Sequence, residues 1–262
     1  VHIVRCFENP DVVHIGGTVD PIRDIEIVNT ELLLADLETV ERRIEKFERQ
    51  IKTGDKSAAG QLELSREMLS YLAKGIPIRR ADGLPKEFLK EMNLLTAKKV
   101  LYVANVSENL LKSPKSYMNE FEKYALQEDS GFIAICGDLE SEIAELPDNE
   151  KKVFLEELGI AESGLDRLIR AGYALLDLIT FYTTAGPELR AWTIKAGTHA
   201  PEAAGRIHSD MERGFIRAEV IHFDEFMRAG SMAAAKEKGW IRSEGKSYIV
   251  QDGDIILFRF NI

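Results

Sequence analysis

The chain has 262 residues, 45% of them hydrophobic, with a formal net charge of −10 and a pI of about 5.2. That is enough apolar material for a core in more than one domain, and the acidic balance excludes bulk attraction to nucleic acid or to an anionic membrane. Cys6 and Cys136 are too few and too far apart for a disulfide framework or a zinc site, no apolar run reaches membrane-spanning length and no signal peptide is present, so a soluble, cytoplasmic chain with two buried thiols and no disulfide partner is expected.

The opening "VHIVRCFENP" starts inside an alternating apolar strand, without an initiator Met, as expected of a chain whose preceding segment is absent. "ENPDVVHIGGTVDP", with Gly16, Gly17 and Pro21, reads as a loop. A long helix begins near Ile22. Leu33, Leu37, Val40, Ile44, Phe47 and Ile51 recur at alternating steps of four and three, a heptad seam. Glu38 with Arg42, Glu45 with Arg49 and Glu48 with Lys52 add ion pairs of the favourable orientation. Gly54 breaks this helix, and a second, carrying Leu62, Leu69, Leu72 and Ile76, ends before Pro77. Two such helices joined by a short loop predict an antiparallel helical hairpin over 21–92.

From Leu94 the pattern alternates between strand and helix. Strands are expected at Val100–Ala104 and Phe132–Cys136, with helices around Lys115–Glu128 and Leu139–Leu146. Such alternation argues for parallel strands with crossover helices. The opening strand belongs to the same sheet, so residues 1–20 and 93–176 form one α/β domain with the hairpin inserted into it. "NEKKVFLEELGI" and "GLDRLIRAGYALLDL" add two amphipathic helices. Residues 177–262 differ again. Two strands flank Gly186-Pro187, a helix "PEAAGRIHSDMERG" and a strand "FIRAEVI" follow, and two short helical pieces precede a hairpin around Asp252-Gly253. That order describes a small α+β domain of the β-grasp kind. It carries 12 acidic and 11 basic side chains, so nearly all the net charge lies ahead of it.

One motif carries chemistry. The strand Val100–Ala104 ends at Asn105, with Glu108 three residues on. In open α/β sheets, ligands bind beyond the carboxyl ends of the strands. P-loop GTPases end the corresponding strand in Asn-Lys-x-Asp, whose Asp accepts two hydrogen bonds from guanine while the Lys stem covers the base. Here Val106 takes the Lys position and Glu108 the Asp position, and a carboxylate one methylene longer overshoots the guanine edge. Asn105, with donor and acceptor atoms, still suits adenine. Asn-x-x-Glu alone is a weak signal, and an Asn at a strand end also serves as a turn or cap residue.

The segments "VRCFENPDVVHIGGTVDPIRDIEIVNTEL", "ANVSE", "LIRAGYALLDLITFYTTAGPELRAWTI", "AAGRIHSDMERGFIRAEVIHFDEF" and "EGKSYIVQDGDIILFRFNI" resemble the Obg-like ATPase family, also called YchF. The resemblance runs from the first residue to the last. It implies a P-loop nucleotide-binding domain, an inserted helical coiled coil and a C-terminal TGS domain of β-grasp type. It further implies Mg-ATP hydrolysis in preference to GTP, ATP and ADP as ligands, and a switch that works with the ribosome or RNA. The chain departs from the family in one respect. It contains neither Gly-x-x-x-x-Gly-Lys-[Ser/Thr] nor Asp-x-x-Gly, the elements that cradle phosphates and hold Mg²⁺. In the family those elements precede this segment, so the chain alone is expected to be inactive, with the Mg²⁺ ligands outside it.

Carried onto this sequence, the resemblance assigns adenine contact to Asn105, packing on the ring to Val106 and the shape of that loop to Glu108. Cys136, Gly137 and Asp138 match the second base-side loop, although a buried small residue is an equal reading of Cys136. Phe7 covers the base from the other side or simply closes the core. His14 takes the task of positioning the attacking water in the complete protein, or is a solvated loop histidine. His199, His208 and His222 have no ligand spacing, and no metal site is expected in this chain. A second function class stands beside the ATPase: a non-catalytic module, formed by the hairpin and the β-grasp domain, for RNA, ribosome or protein binding. Arg190, Lys195, Arg206, Arg213 and Arg217 are the cations available for a basic face there, against a bland mixed-charge surface.

Overall fold

A computed structural model describes residues 1–9, 17–112, 116–184 and 188–261. It is an α/β protein that divides into two compact units, Val1–Ala171 and Gly172–Ile262. The first holds β1 (His2–Arg5), α1 (Pro21–Lys52), α2 (Ala58–Ala73), a 3-10 turn (Ile78–Arg80), α3 (Lys86–Met92), β2 (Leu101–Asn105), α4 (Glu108–Lys112), α5 (Ser116–Gln127), β3 (Gly131–Ile135), α6 (Gly137–Glu145) and α7 (Asp148–Glu157). The division falls within α8 (Gly164–Leu175).

α1 begins where local chemistry demands it. The Asp20 carboxylate accepts from the Arg23 N–H at 3.1 Å, and Pro21 occupies the first turn, where its missing N–H costs nothing. The helix stops at Thr53, followed by Gly54 in a left-handed conformation (φ 97°) that favours glycine. Val40 and Phe47 of α1 pack with Ala58, Met68 and Leu72 of α2. Phe88 and Met92 of α3 close the same cluster. α3 is an element that the sequence pattern leaves unassigned, because seven residues between Pro85 and Asn93 are too short to show a period.

β1, β2 and β3 form a parallel sheet in that order, with Ile3 opposite Val103 and Val103 opposite Ile133. β2 is the central strand and is buried from Leu101 to Ala104, which explains its unbroken apolar run. Val4, Cys6, Tyr102, Ala104 and Val106 pack with Ile25 of α1 and Phe121 of α5.

The second unit holds β4 (Leu178–Thr183), β5 (Arg190–Lys195), α9 (Ala200–Ile207), α10 (Ser209–Arg213), β6 (Phe215–His222), α11 (Phe223–Ala229), α12 (Met232–Glu237), β7 (Arg242–Glu244) and β8 (Asp254–Phe260). Its mixed sheet has the order β5-β4-β8-β6-β7; only β4 and β8 run parallel. On one face, Ala200, Ala203 and Ala204 of α9 pack with Phe181, Val220, Ile256 and Phe258. On the other, Ile221 and Ile255 meet Phe226, Met232 and Trp240.

Two local expectations are corrected. The helix over 201–214 is two helices broken at His208, whose backbone is extended and whose Nδ1 accepts from the Asp210 N–H at 3.2 Å. Asp252-Gly253 does not close a hairpin. Asp252 Oδ1 accepts from the Thr180 N–H at 2.8 Å, and the Gly253 N–H donates to Thr180 O, so the turn docks on β4. The preceding residues bridge to 198–200 instead, through Val250 N–H to Thr198 O and Ala200 N–H to Tyr248 O.

Candidate functional site

The carboxyl ends of the three parallel strands converge on Asn105. Its backbone oxygen accepts from the Cys6 N–H at 2.8 Å, which ties it to the end of β1. Its side-chain Oδ1 accepts from the Gly137 N–H at 3.0 Å, which ties it to the start of α6. The Val106 N–H donates to Ile135 O at 2.8 Å, closing the link to β3. Gly137 is fitted to this contact: a Cβ there would lie 3.3 Å from Asn105 Oδ1, tighter than ordinary contact. Among the described residues nothing accepts from Asn105 Nδ2, so one amide group is committed to the fold and the other is not.

The other predicted residues take distinct places. Val106 is 2% exposed and its side chain belongs to the core beneath the loop. Glu108 is exposed at the first residue of α4, where a carboxylate complements the helix terminus. Cys136 is buried at the cap position of α6 with Leu139 and Ile143. Asp138 is exposed in the first turn of α6. Phe7 is half-buried; the Arg5 guanidinium lies 5.1 Å from its ring centre, and Arg5 Nε donates to its backbone oxygen at 3.0 Å. It lines a cleft of about 890 Å³ together with Cys6, Asp20, Ser107, Leu110 and Glu120. Asn105 and residues 136–138 are not on the wall of that cleft. Burial, reinforced by the Asp24 charge, pushes the Cys6 thiol up to about 12, so it stays protonated. His14 lies outside the described residues.

Sequence reasoning missed the groups that fasten α1 to this sheet. Asp36, 2% exposed, accepts from the Leu95 N–H at 2.8 Å and from the Thr96 N–H and Oγ1, each at 2.7 Å. Thr96 Oγ1 in turn accepts from the Ile78 N–H at 3.2 Å. Asn29 Nδ2 donates to the hydroxyls of Tyr102 and Tyr124, both at 3.3 Å. Burial raises both phenol pKa values, so the hydroxyls remain neutral partners. Glu128 binds Arg79 at 2.8 Å and Arg80 at 2.7 Å. A signal for Asp36 was present: an acid three residues after Leu33 and four before Val40 sits on the apolar seam. Farther along, the Glu140 carboxylate accepts from the Gly164 and Leu165 N–H groups at 2.7 and 3.0 Å and caps α8.

Comparison with known proteins places this architecture. The family model YchF-GTPase_C, described as "Protein of unknown function (DUF933)", matches residues 178–261. The Ribosome-binding ATPase YchF of Escherichia coli O157:H7 is 44% identical over all of this chain and 72% of its own length. The structure of the Schizosaccharomyces pombe YchF GTPase superposes with a TM-score of 0.83 at 30% identity, covering 98% of this chain and 71% of that one. A GTP binding protein from Pyrococcus horikoshii OT3 shares the fold, with a TM-score of 0.58 at 18% identity. The Ribosome-binding ATPase YchF of Bacillus subtilis (strain 168) is 48% identical across the whole of this chain and 72% of its own length, and the chain accordingly belongs to the YchF family.

Proposed function

We propose that this chain is the base-recognising and effector part of a ribosome-associated, ATP-dependent switch that binds and hydrolyses ATP in preference to GTP. The observation that carries the reading is the 3.0 Å hydrogen bond from the Gly137 N–H to Asn105 Oδ1. It locks the two base-side loops together and leaves Asn105 Nδ2 for an acceptor on a purine. Guanine needs a carboxylate for its N1–H and exocyclic amine; Glu108 at the head of α4 is one methylene too long to serve both, and adenine needs neither. In this reading Gly137 and Asp138 border the base, and Cys136 and Val106, each 2% exposed, hold the two loops from below instead of touching the ring. Phe7 lines a cleft whose wall does not include Asn105 and is not assigned to the base.

ATP supplies the phosphoryl group and its charge; the residues of this chain bind and orient the base. The family resemblance assigns the Mg²⁺ ligands, with the phosphate cradle, to a P-loop segment ahead of β1. In that arrangement residues 1–20 and 93–176 complete the nucleotide domain, 21–92 form the coiled-coil hairpin and 177–262 a β-grasp TGS domain. His14 positions the attacking water. The names of the relatives support the ribosome as partner and with it a cytoplasmic location. Among the described residues no helix is long and apolar enough to cross a membrane.

The test is a calorimetric titration with ATP and GTP, on this chain alone and on the chain joined to its family's P-loop segment. The joined protein is expected to bind ATP more tightly than GTP, and Asn105→Ala to weaken ATP by about tenfold, the worth of one hydrogen bond to a buried polar edge. Equal affinity for the two nucleotides would refute the adenine reading. The alternative, a non-catalytic module, predicts ribosome binding by this chain that is indifferent to nucleotide in the joined protein.

A further inference from the structure

The core face of β6 has an irregular spacing. Phe215, Ala218 and Val220 all enter the cluster beneath α9, three residues and then two apart, which a regular strand cannot do. A register shift between Phe215 and Arg217 in the pairing with β8 absorbs the extra residue, Ile216. The bulge turns Arg217 and Glu219 onto the opposite face of the sheet. On β8, Ile256 and Phe258 enter the same cluster, so Arg259 faces outward too. Arg217 and Arg259 are direct cross-strand partners.

Two like charges directly opposite each other in a ladder are unfavourable. Here they are reconciled by one carboxylate. Glu219 Oε1 accepts from Arg217 at 3.1 Å and from Arg259 Nε at 3.2 Å, and Glu219 Oε2 accepts from the second Arg259 nitrogen at 3.1 Å. These bonds, from Arg259 first and Arg217 second, hold the Glu219 carboxyl below the usual glutamate range. No other described carboxylate pairs with either arginine. Each guanidinium has five N–H donors, so most remain uncommitted, and the trio keeps one net positive charge. Both arginines are 50% exposed, and both stand on strands with a shared anchor, so their geometry is set before a ligand arrives. By contrast, Arg190 and Arg213 each have an acid of their own close by in sequence, Glu188 and Asp210.

We infer that Arg217 and Arg259, aligned by Glu219 across a β-bulge, form a fork that grips the sugar–phosphate backbone of ribosomal RNA. It rests on the ribosome reading above and names the surface and the chemistry of that contact. A planar guanidinium matches two phosphate oxygens at once, and a pair on adjacent strands suits successive phosphates. Arg217 and Arg259 contact the RNA; Glu219 is a positioning residue.

The experiment uses the full 262-residue chain, binding to intact ribosomes and to protein-free ribosomal RNA over a KCl series, with thermal melting of every variant. Each of Arg217→Gln and Arg259→Gln leaves the other arginine on Glu219 and thus preserves an ion pair in the sheet. Each is expected to weaken both interactions by about tenfold and to lower the salt slope by about 0.9. The double variant is expected to lose binding, and Arg190→Ala to change nothing. Wild-type binding by both single variants would overturn the inference while leaving ribosome association intact. Loss of ribosome binding with unchanged or absent binding of free RNA would also overturn it, in favour of an acidic protein surface. No ribosome binding by the wild-type chain would sink the inference and the ribosome reading of this chain together.

Discussion

Replacing Asp36 by Ala tests whether the base of α1 is held by one side chain. The carboxylate is 2% exposed and accepts three hydrogen bonds, two of them from the backbone N–H groups of Leu95 and Thr96. Alanine leaves both N–H groups without a partner, the Thr96 N–H buried and the Leu95 N–H only partly so, at about 1–3 kcal/mol for the first and less for the second. It also opens a small cavity and takes the acceptor from the Thr96 hydroxyl, which keeps only the Ile78 N–H as its partner. The expected total is about 3–5 kcal/mol, well into the large end of single-substitution effects. Both tryptophans, Trp192 and Trp240, lie in the second unit, whereas the longest helices lie in the first. Urea unfolding followed by circular dichroism at 222 nm therefore reports mainly on the first unit, and tryptophan fluorescence on the second. With an m-value of about 2 kcal/mol/M, the midpoint of the dichroism transition should fall by roughly 1.5–2.5 M while the fluorescence transition stays in place. A dichroism shift worth less than about 1 kcal/mol would refute the reasoning, since it would mean that water or a local rearrangement satisfies both N–H groups.

Other outcomes follow from the same geometry. Cys6, its thiol pushed up to about 12, should resist alkylation at pH 8 in the folded chain and react at the ordinary cysteine rate once urea unfolds it; fast native labelling would contradict its placement. Glu219 has its carboxyl pKa lowered by folding, so its stabilisation is present above the ordinary glutamate range and lost as pH falls through the folded value. Fluorescence-detected melts of wild type should lose stability on acidification more steeply than those of Glu219→Gln, and parallel curves would refute this. Glu140→Ala removes the carboxylate that receives two N–H groups of α8 and should cost about 1–2 kcal/mol, read by dichroism. In the chain joined to a P-loop segment, His14→Ala should slow ATP turnover while leaving ATP affinity unchanged; equal turnover would remove His14 from the mechanism.

What was legible in the sequence was local. Gly54 marks the end of α1 because a left-handed residue acts within a turn. The run Leu101–Ala104 marks a central strand because burial on both faces needs apolar side chains at every position. Partners far apart in the chain were not legible. Asn105 was readable as a strand end, but its bond to Gly137, 32 residues on, depends on how β3 registers with β2. Asp252-Gly253 has the composition of a hairpin turn, and Thr180, from another strand, outcompetes that use. Of the five cations singled out in the C-terminal part, Arg190, Arg213 and Arg217 each stand beside an acid two or three residues away, a pairing that composition alone did not show. The bulge that sets Arg217 opposite Arg259 leaves no compositional trace.

β2 carries Asn105 at one end and Tyr102 three residues earlier, and Tyr102 receives the amide of Asn29 on α1. β2 is held on both sides by parallel ladders, so Asn29 and Asn105 are anchored to one and the same strand. From Asn29 to Lys52 α1 runs 23 residues, roughly 35 Å at about 1.5 Å per residue, which sets the loop of the hairpin that far along the helix from the strand that ends at Asn105. A deletion of two turns from α1 and α2 would bring that loop closer while leaving the contacts of Asn29 and Asp36 in place.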